Sequence, residues 1–117
     1  MDFENAIAAH VEWKTKLRGA IAAQSELDAF SAAKDNICPL GKWLHGDART
    51  KYAHLAEFSG CVQSHAAFHR EAGRVAALVN ARQYAEATAA LEAGSPYAKA
   101  SMDTTIAISK LRKQIGA

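Results

Sequence analysis

The sequence predicts an all-α fold, a four-helix bundle with a short extra helix that carries a cysteine turn. Half of the residues are hydrophobic, and only two prolines and seven glycines occur among 117 residues. This composition is typical of helical domains. Apolar residues also recur at steps of three and four, which is the spacing of one helix face. The length suits one hydrophobic core, so we expect residues 1–117 to form a single domain.

The first predicted helix spans about residues 3–23, and a mixed connection follows over 24–37. Its apolar face is formed by Phe3, Ile7, His10, Leu17 and Ile21, which fall close to helical spacing. Lys14 interrupts this face. Because His10 lies on or beside the apolar face, we expect its ring to point toward the interior of the bundle.

A short helix is predicted from Cys38 to Gly46, in the sequence CPLGKWLHG. Pro39 drives the residue before it toward an extended conformation, and proline is itself favoured in the first turn of a helix. We therefore expect Cys38 to cap this helix at its N-terminus. The backbone N–H groups and the dipole at such a position lower the pKa of a thiol, so we expect a thiolate there.

Three further helices complete the predicted bundle. The third spans about residues 50–80, the fourth spans about 83–93 with Gly94 as its stop, and the last begins at Ser95-Pro96 and ends near residue 114. The third helix carries an apolar stripe made of Phe58, Cys61, His65, Phe68, Ala72, Val75 and Val79. The last helix carries another, made of Tyr97, Thr104, Ile108, Leu111 and Ile115.

Charge and composition argue against several functional classes. The formal net charge is +2, from 14 basic and 12 acidic residues, which gives little support for binding to nucleic acid or to a membrane. The N-terminal residues lack the pattern of an export signal, and no apolar run is long enough to span a membrane. Two cysteines are too few for a disulfide-stapled secreted fold, so we expect a cytoplasmic protein.

The stretch HAAFH at 65–69 places two histidines about 6 Å apart along a helix axis. Such a pair can share one metal ion. By itself the pair favours two incidental histidines, because alanine-rich helices produce such pairs by chance. His10 and Cys38 change this interpretation, because three histidines and one cysteine fill the tetrahedron that zinc prefers. The core of a helical bundle is also where such sites are built.

Three motifs resemble the chemoreceptor zinc-binding domain (CZB) family. They are HVEW at 10–13, CPLGKW at 38–43 and HAAFH at 65–69. Their order and the intervening stretches, 14–37 and 44–64, fit the family's pattern, and the resemblance covers nearly the whole chain. It implies that the zinc ligands are His10, Cys38, His65 and His69. It also implies that Trp13, Leu40, Gly41 and Trp43 support the site, by packing around it and by allowing the cysteine turn to lie close to a neighbouring helix.

The resemblance implies a sensory or regulatory domain of bacterial signalling, in chemotaxis or cyclic-di-GMP pathways. Some members of the family sense zinc, and others sense hypochlorous acid through a cysteine–zinc switch, which here would be Cys38. The family also implies a homodimer, and a protein partner such as a chemoreceptor or a diguanylate cyclase. Whether the chain acts alone or within a longer protein stays open. A site closed by four protein ligands predicts no enzymatic activity, because catalytic zinc keeps a position for water.

The remaining cysteine and histidines have simpler interpretations. Cys61 is expected to be a small buried hydrophobe, or alternatively a resolving thiol that captures oxidised Cys38 as a disulfide. His45 and His54 are expected on the surface. An outer acceptor for the ligand histidines is also expected, but no residue in the sequence identifies it.

Two rival classes of protein remain. The first is an oxygen- or iron-binding bundle of hemerythrin type, which needs more histidines and carboxylates at helical spacing, such as HxxxE. The chain lacks that motif. The second is a purely structural bundle whose histidines are incidental, and it predicts no bound metal.

Overall fold

The computed structural model describes residues 1–116, and in that range all regular elements are helices, as predicted, with no strand. Its helices are α1 (Phe3–Ala23), α2 (Ala29–Ala32), α3 (Pro39–His45), α4 (Asp47–Tyr52), α5 (Ala56–Asn80), α6 (Tyr84–Ala90) and α7 (Pro96–Ile115). They form an elongated body of 43 × 24 × 19 Å. Among these helices, none has both the length and the hydropathy that crossing a membrane requires.

Helix α5 is the centre of the fold, and it packs against α1, α2, α3, α6 and α7. Its most extensive partner is α7, and α1 lies against both of these long helices. The short helix α6 contacts α1 and α5. Helices α1, α5, α6 and α7 are arranged in a way compatible with a four-helix bundle. The shortest of these four, α6, has only seven residues.

Two clusters of buried side chains form the core. One joins the C-terminal halves of α1 and α5 to α6 and the start of α7, and it includes Leu17, Phe68, Val75, Leu91 and Tyr97. The other joins the N-terminal halves of α1 and α5 to α3 and the end of α7, and it includes Phe3, Leu40, Cys61, Ile108 and Leu111. His10 and His65 fall between these sets along their helices, so the bundle's middle layer is polar.

Local sequence accounts for the starts of α1, α3 and α7. The Asp2 carboxylate accepts the Asn5 N–H at 3.1 Å, and the Ser95 hydroxyl accepts the Ala98 N–H at 3.1 Å. Cys38 caps α3 in an extended conformation (φ −70°, ψ 159°), as predicted from the proline that follows it. Gly94 adopts a left-handed conformation with φ +83°, although α6 already ends at Ala90, three residues before the boundary that the sequence predicted.

The sequence prediction of one helix over residues 50–80 is wrong. The chain forms α4 and α5 instead, with a break in which Leu55 is extended (φ −78°, ψ 139°). Leu55 and Tyr52 pack against the cluster that contains Phe58, so burial of these side chains accounts for the bend. Neither proline nor glycine occurs at residues 53–55 to signal it.

The connection predicted over 24–37 also contains a helical turn, α2. The Asp28 carboxylate caps it by accepting the Ser31 N–H at 3.0 Å. Leu27 is fixed beside it, because the Asn80 side chain binds both the Leu27 N–H and the Leu27 carbonyl at 2.8 Å. These contacts dock the segment that leads to Cys38 onto α5.

Candidate metal centre

Four side chains from three parts of the chain meet in the middle layer of the bundle. His10 projects from α1, Cys38 from the N-terminus of α3, and His65 and His69 from successive turns of α5. One donor atom from each lies within 4.8 Å of the others. The three histidines are buried, with at most 3 % of their surface exposed, and Cys38 is partly buried. The structure thus brings together the residues that the three sequence motifs indicated.

The distances between donor atoms match a tetrahedral metal site. The Cys38 sulfur lies 3.3 Å from His65 Nε2, 3.6 Å from His69 Nε2 and 4.0 Å from His10 Nε2. The two Nε2 atoms on α5 are 3.1 Å apart. Zinc bonds of about 2.0 Å to nitrogen and about 2.3 Å to sulfur give tetrahedral edges of about 3.3 Å (N to N) and about 3.5 Å (S to N). The donor set therefore fits zinc, and the donors of Cys38, His65 and His69 lie close to these edges, whereas His10 Nε2 lies farther from the sulfur.

Two backbone carbonyls fix the orientation of the imidazoles. His10 Nδ1 lies 2.6 Å from the Ala6 carbonyl oxygen, and His69 Nδ1 lies 3.0 Å from the Ala32 carbonyl oxygen. A carbonyl only accepts, so each Nδ1 must carry the proton, which leaves an Nε2 lone pair directed at the cluster. These carbonyls are the expected outer acceptors. His65 Nδ1 has no hydrogen-bond partner among residues 1–116.

The cysteine turn is held by close backbone packing. The Cys38 sulfur accepts the Gly41 N–H at 3.4 Å. A Cβ at residue 41 would overlap the Asp35 carbonyl oxygen and lie 3.2 Å from Asn36 Cα. Gly41 is thus required for a close approach, as its predicted supporting role implies, but its neighbour is the segment before the turn and not a helix.

The other supporting residues divide between the site and the core. The Trp13 ring stands perpendicular to His69 with 6.3 Å between centroids, so it forms a wall of the site. Leu40 is buried in the core. Trp43 packs edge-on against Phe3 at 5.4 Å, and it therefore anchors α3 to α1.

Phe68 is a wall of the site that sequence reasoning assigned only to the core. Its ring lies 5.2 Å from that of His10 and 5.3 Å from that of His69. Position 68, beside His69 on the inward stripe, was the available signal. The aromatic wall excludes water and strengthens electrostatic interactions at the site.

Burial controls the protonation of the cluster. Desolvation lowers the pKa of His65 to about 3, with further contributions from His69 and His10. Desolvation also lowers the pKa of His10 and of His69, against the opposing effect of their backbone partners. At neutral pH all three imidazoles are therefore neutral, which is the form that binds a metal.

The thiol of Cys38 differs from the prediction. Burial raises its pKa, and this outweighs the N–H groups of Gly41 and Leu40, which lower it. In the metal-free protein the thiol is therefore protonated at neutral pH, in spite of its place at a helix N-terminus. A thiolate forms when a cation displaces the proton.

The remaining candidate residues lie outside the four-residue group. Cys61 is 1 % exposed in the core, and burial raises its pKa to about 11, in agreement with a buried hydrophobe. His45 and His54 are exposed, as predicted. Among residues 1–116 no second group of histidine, cysteine or carboxylate ligands occurs, and no carboxylate joins the first. A hemerythrin-type centre, which needs bridging carboxylates, is not formed by these residues.

Comparison with known proteins identifies the family. The family model described as "Chemoreceptor zinc-binding domain" matches residues 10–76, more than half of the chain. No curated protein and no solved structure is significantly similar to the chain. The matched region begins at His10 and extends beyond His69, so it contains all four clustered side chains, and zinc is the cofactor that both the family and the donor set indicate. The chain belongs to the chemoreceptor zinc-binding domain family.

Proposed function

We propose that this chain is a sensory zinc domain in which His10, Cys38, His65 and His69 hold one Zn²⁺ ion. The observation that carries this assignment is that one donor atom from each of the three buried histidines and the sulfur of Cys38 lie within 4.8 Å of one another. The Nε2 atoms of His65 and His69 lie 3.1 Å apart, close to the edge of a zinc tetrahedron, and the buried position keeps both rings neutral and able to bind a cation.

A regulatory role fits this site better than a catalytic one. Four protein ligands complete the tetrahedron, and a catalytic zinc needs a free position for water or substrate. The family that the chain belongs to is defined by zinc binding in chemoreceptors. We therefore propose that the bound metal changes the conformation of the domain instead of activating a substrate.

Zinc occupancy is the first proposed signal. The site joins α1, the start of α3 and α5, at the edge of the core cluster that these helices share. Structural zinc contributes on the order of 10 kcal/mol to the folding of small domains. Loss of the ion should therefore loosen α1 and the cysteine turn relative to α5.

Oxidation of Cys38 is the second proposed signal. Cys38 is the most exposed of the four residues, and a thiolate is the group that electrophilic oxidants attack. With hypochlorous acid, the thiolate sulfur loses two electrons and gains the hydroxyl oxygen to become a sulfenic acid, and chloride leaves. A sulfenic acid is a poorer ligand than a thiolate, so the oxidised Cys38 side chain would leave the metal.

The partners and the cellular location follow from the same proposal. We propose a homodimer that acts on a signalling protein such as a chemoreceptor or a diguanylate cyclase. The family to which the chain belongs supports this proposal. A reactive thiolate ligand must remain reduced, which favours the cytoplasm. A role for Cys61 as the resolving thiol is not favoured, because its side chain is deeply buried.

Metal content of the untagged protein is the decisive test. Protein made with zinc supplied is analysed by elemental mass spectrometry, together with His65→Ala, Cys38→Ala and the control His54→Ala, which changes an exposed histidine. About one zinc per chain is expected in the wild type and in the control, with a large reduction in the other two. Absence of zinc from the wild type would support a structural bundle instead.

A further inference from the structure

The segment before Cys38 folds back along α3. At its start the Asp35 backbone lies on the first turn of the helix, where the absence of a side chain on Gly41 makes room for it. The Asp35 carboxylate then reaches the last residue of α3, with 3.0 Å between Asp35 Oδ2 and His45 Nε2. Residues 35–45 thus form a closed loop with Cys38 inside it.

The α3 side of this loop is anchored in the core by Leu40 and Leu44, but few contacts hold the stretch before Cys38. Upstream, the segment is fixed to α5 at Ala32 and Ala33, since the Ala32 carbonyl accepts from His69 and Ala33 packs against Gly73. Lys34 and Asn36 are exposed, and Ile37 is 45 % exposed. Apolar burial therefore contributes little between Ala33 and Cys38. The side-chain connection from this stretch to α3 is the contact between Asp35 and His45.

We propose that Asp35 and His45 form a latch, a positioning pair that keeps the Cys38 sulfur directed at the three histidines whenever the bond between sulfur and metal is broken. A ligand that stays in place recaptures the metal quickly, because its effective concentration at the site is high. A ligand that swings out leaves the metal to be lost. The latch thus sets how readily the cysteine turn opens.

The geometry of the pair supports this role, because Asp35 contacts both the first turn of α3, at Gly41, and its last residue, His45. The pair itself is partly exposed, at 27 % for Asp35 and 37 % for His45. Partly exposed ion pairs are weak, so we expect changes of about two- to fivefold in opening rates when the pair is broken.

The test compares Asp35→Asn, His45→Ala and the double variant. The control is Asp103→Asn, which breaks the 2.7 Å pair of Asp103 with Lys99 on α7, away from the turn. Two rates are measured: alkylation of Cys38 by iodoacetamide in zinc-stripped protein, and release of zinc from loaded protein to a chelator. Mass spectrometry separates Cys38 from Cys61, whose burial makes it an internal reference. Thermal unfolding verifies that every variant is folded.

We expect each single variant to raise both rates about two- to fivefold, and the double variant to do no more than the larger single effect. The control should match the wild type. Unchanged rates, or effects that multiply in the double variant, would overturn the latch. An effect of Asp35→Asn without one of His45→Ala would also overturn it, because Asp35 would then act through its charge alone.

The zinc-release arm rests on the proposed function, but the alkylation arm does not. If the wild type takes up no zinc, the proposed function fails, while the alkylation rates still decide the latch. If zinc binds normally and both rates are unchanged in the single variants, the latch alone fails.

Discussion

The ring of His69 and the backbone of Ala32 are joined by a hydrogen bond of 3.0 Å, in which Nδ1–H donates to the carbonyl oxygen. Ala32 ends α2, and residues 33–37 lead from it directly to Cys38. The other nitrogen of the same ring faces the cluster. The docking of α2 on α5 therefore controls both the orientation of one proposed ligand and the starting point of the turn that carries another.

Gly73 tests this coupling without changing a proposed ligand. A Cβ there would lie 2.5 Å from Ala33 Cβ and 2.9 Å from Ala33 Cα, so Gly73→Ala must push α2 away. Overpacking of this kind costs about 1–3 kcal/mol, partly offset by about 1 kcal/mol from the better helix propensity of alanine. We expect lower zinc affinity and a lower melting temperature of the zinc-loaded protein, measured by competition with a chelator and by thermal unfolding.

Gly60→Ala is the matched control for that substitution. It makes the same change on the same helix, but a Cβ at residue 60 would meet nothing within 4 Å. We expect it to raise the unfolding free energy by up to about 1 kcal/mol and to leave zinc affinity unchanged. Equal effects of the two substitutions would contradict the coupling between α2 and the site.

Much of this fold could be predicted because the helix signals are local. The stripe from Phe58 to Val79 has the helical period, and every member of it is buried. The prolines at 39 and 96 mark the starts of α3 and α7 for a steric reason. The break at residues 53–55 could not be predicted, because it comes from the tertiary burial of Tyr52 and Leu55 and not from a local signal.

The candidate site divides in the same way. His65 and His69 share a helix face by geometry, and the resemblance carried by the three motifs predicted that His10 and Cys38 join them. The outer acceptors could not be read from the sequence, since every residue has a carbonyl and only the fold selects those of Ala6 and Ala32. The pKa of Cys38 was predicted in the wrong direction because burial, a property of the whole fold, outweighs the local helix terminus.

The buried hydroxyl of Tyr97 should contribute nothing favourable to stability. The side chain is 1 % exposed, and its oxygen has no hydrogen-bond partner among the described residues. A buried polar group without a partner destabilises the folded state, so Tyr97→Phe should be neutral or stabilising by up to about 1 kcal/mol in urea unfolding. Thr104→Val is the control, because the Thr104 hydroxyl contacts the Ser64 and Ala100 carbonyl oxygens at 2.9 and 2.8 Å. It should destabilise by about 1 kcal/mol, and a larger loss in Tyr97→Phe than in this control would be evidence of a partner for the phenol.

Acid should destabilise the zinc-stripped protein. Burial lowers the pKa of His10, His65 and His69 below the unfolded value of 6.5, to about 3 for His65. At a pH between the folded and the unfolded pKa of a histidine, the unfolded chain binds more protons than the folded chain. The unfolding free energy therefore falls as the pH falls below about 6.5. For His65 the slope approaches about 1.4 kcal/mol per pH unit, and His10 and His69 add to it in the same direction. Urea unfolding with a chelator present, from pH 7.5 to 5.5, measures this slope.

The variants His65→Gln and His54→Gln separate the buried histidines from an exposed one. His65→Gln should reduce the slope, whereas His54→Gln should retain it, because His54 is exposed. An unchanged slope in His65→Gln would show that this imidazole does not titrate on unfolding.

Zinc uptake should release one proton per chain near pH 7.5. The imidazoles are already neutral there, and burial keeps the Cys38 thiol protonated until the cation binds. The apparent affinity should then rise about tenfold per pH unit over the neutral range. Titration calorimetry in buffers of different ionisation enthalpy counts the protons, and Cys38→Ser should release fewer than the wild type. Zinc binding without proton release would mean that the thiol is already ionised in the free protein.

Oxidation of the zinc-loaded protein should modify Cys38 and leave Cys61 intact. Cys38 is partly exposed, while Cys61 is 1 % exposed and its pKa is raised by burial to about 11, so its thiolate is scarce at neutral pH. One equivalent of hypochlorous acid should release zinc, detected with a chromogenic chelator, and peptide mass spectrometry should find the added oxygen on Cys38. Cys61→Ser should release zinc equally and recover equally after reduction. A disulfide between the two cysteines, with loss of recovery in Cys61→Ser, would instead require the core around Cys61 to open during oxidation and would assign it the resolving role.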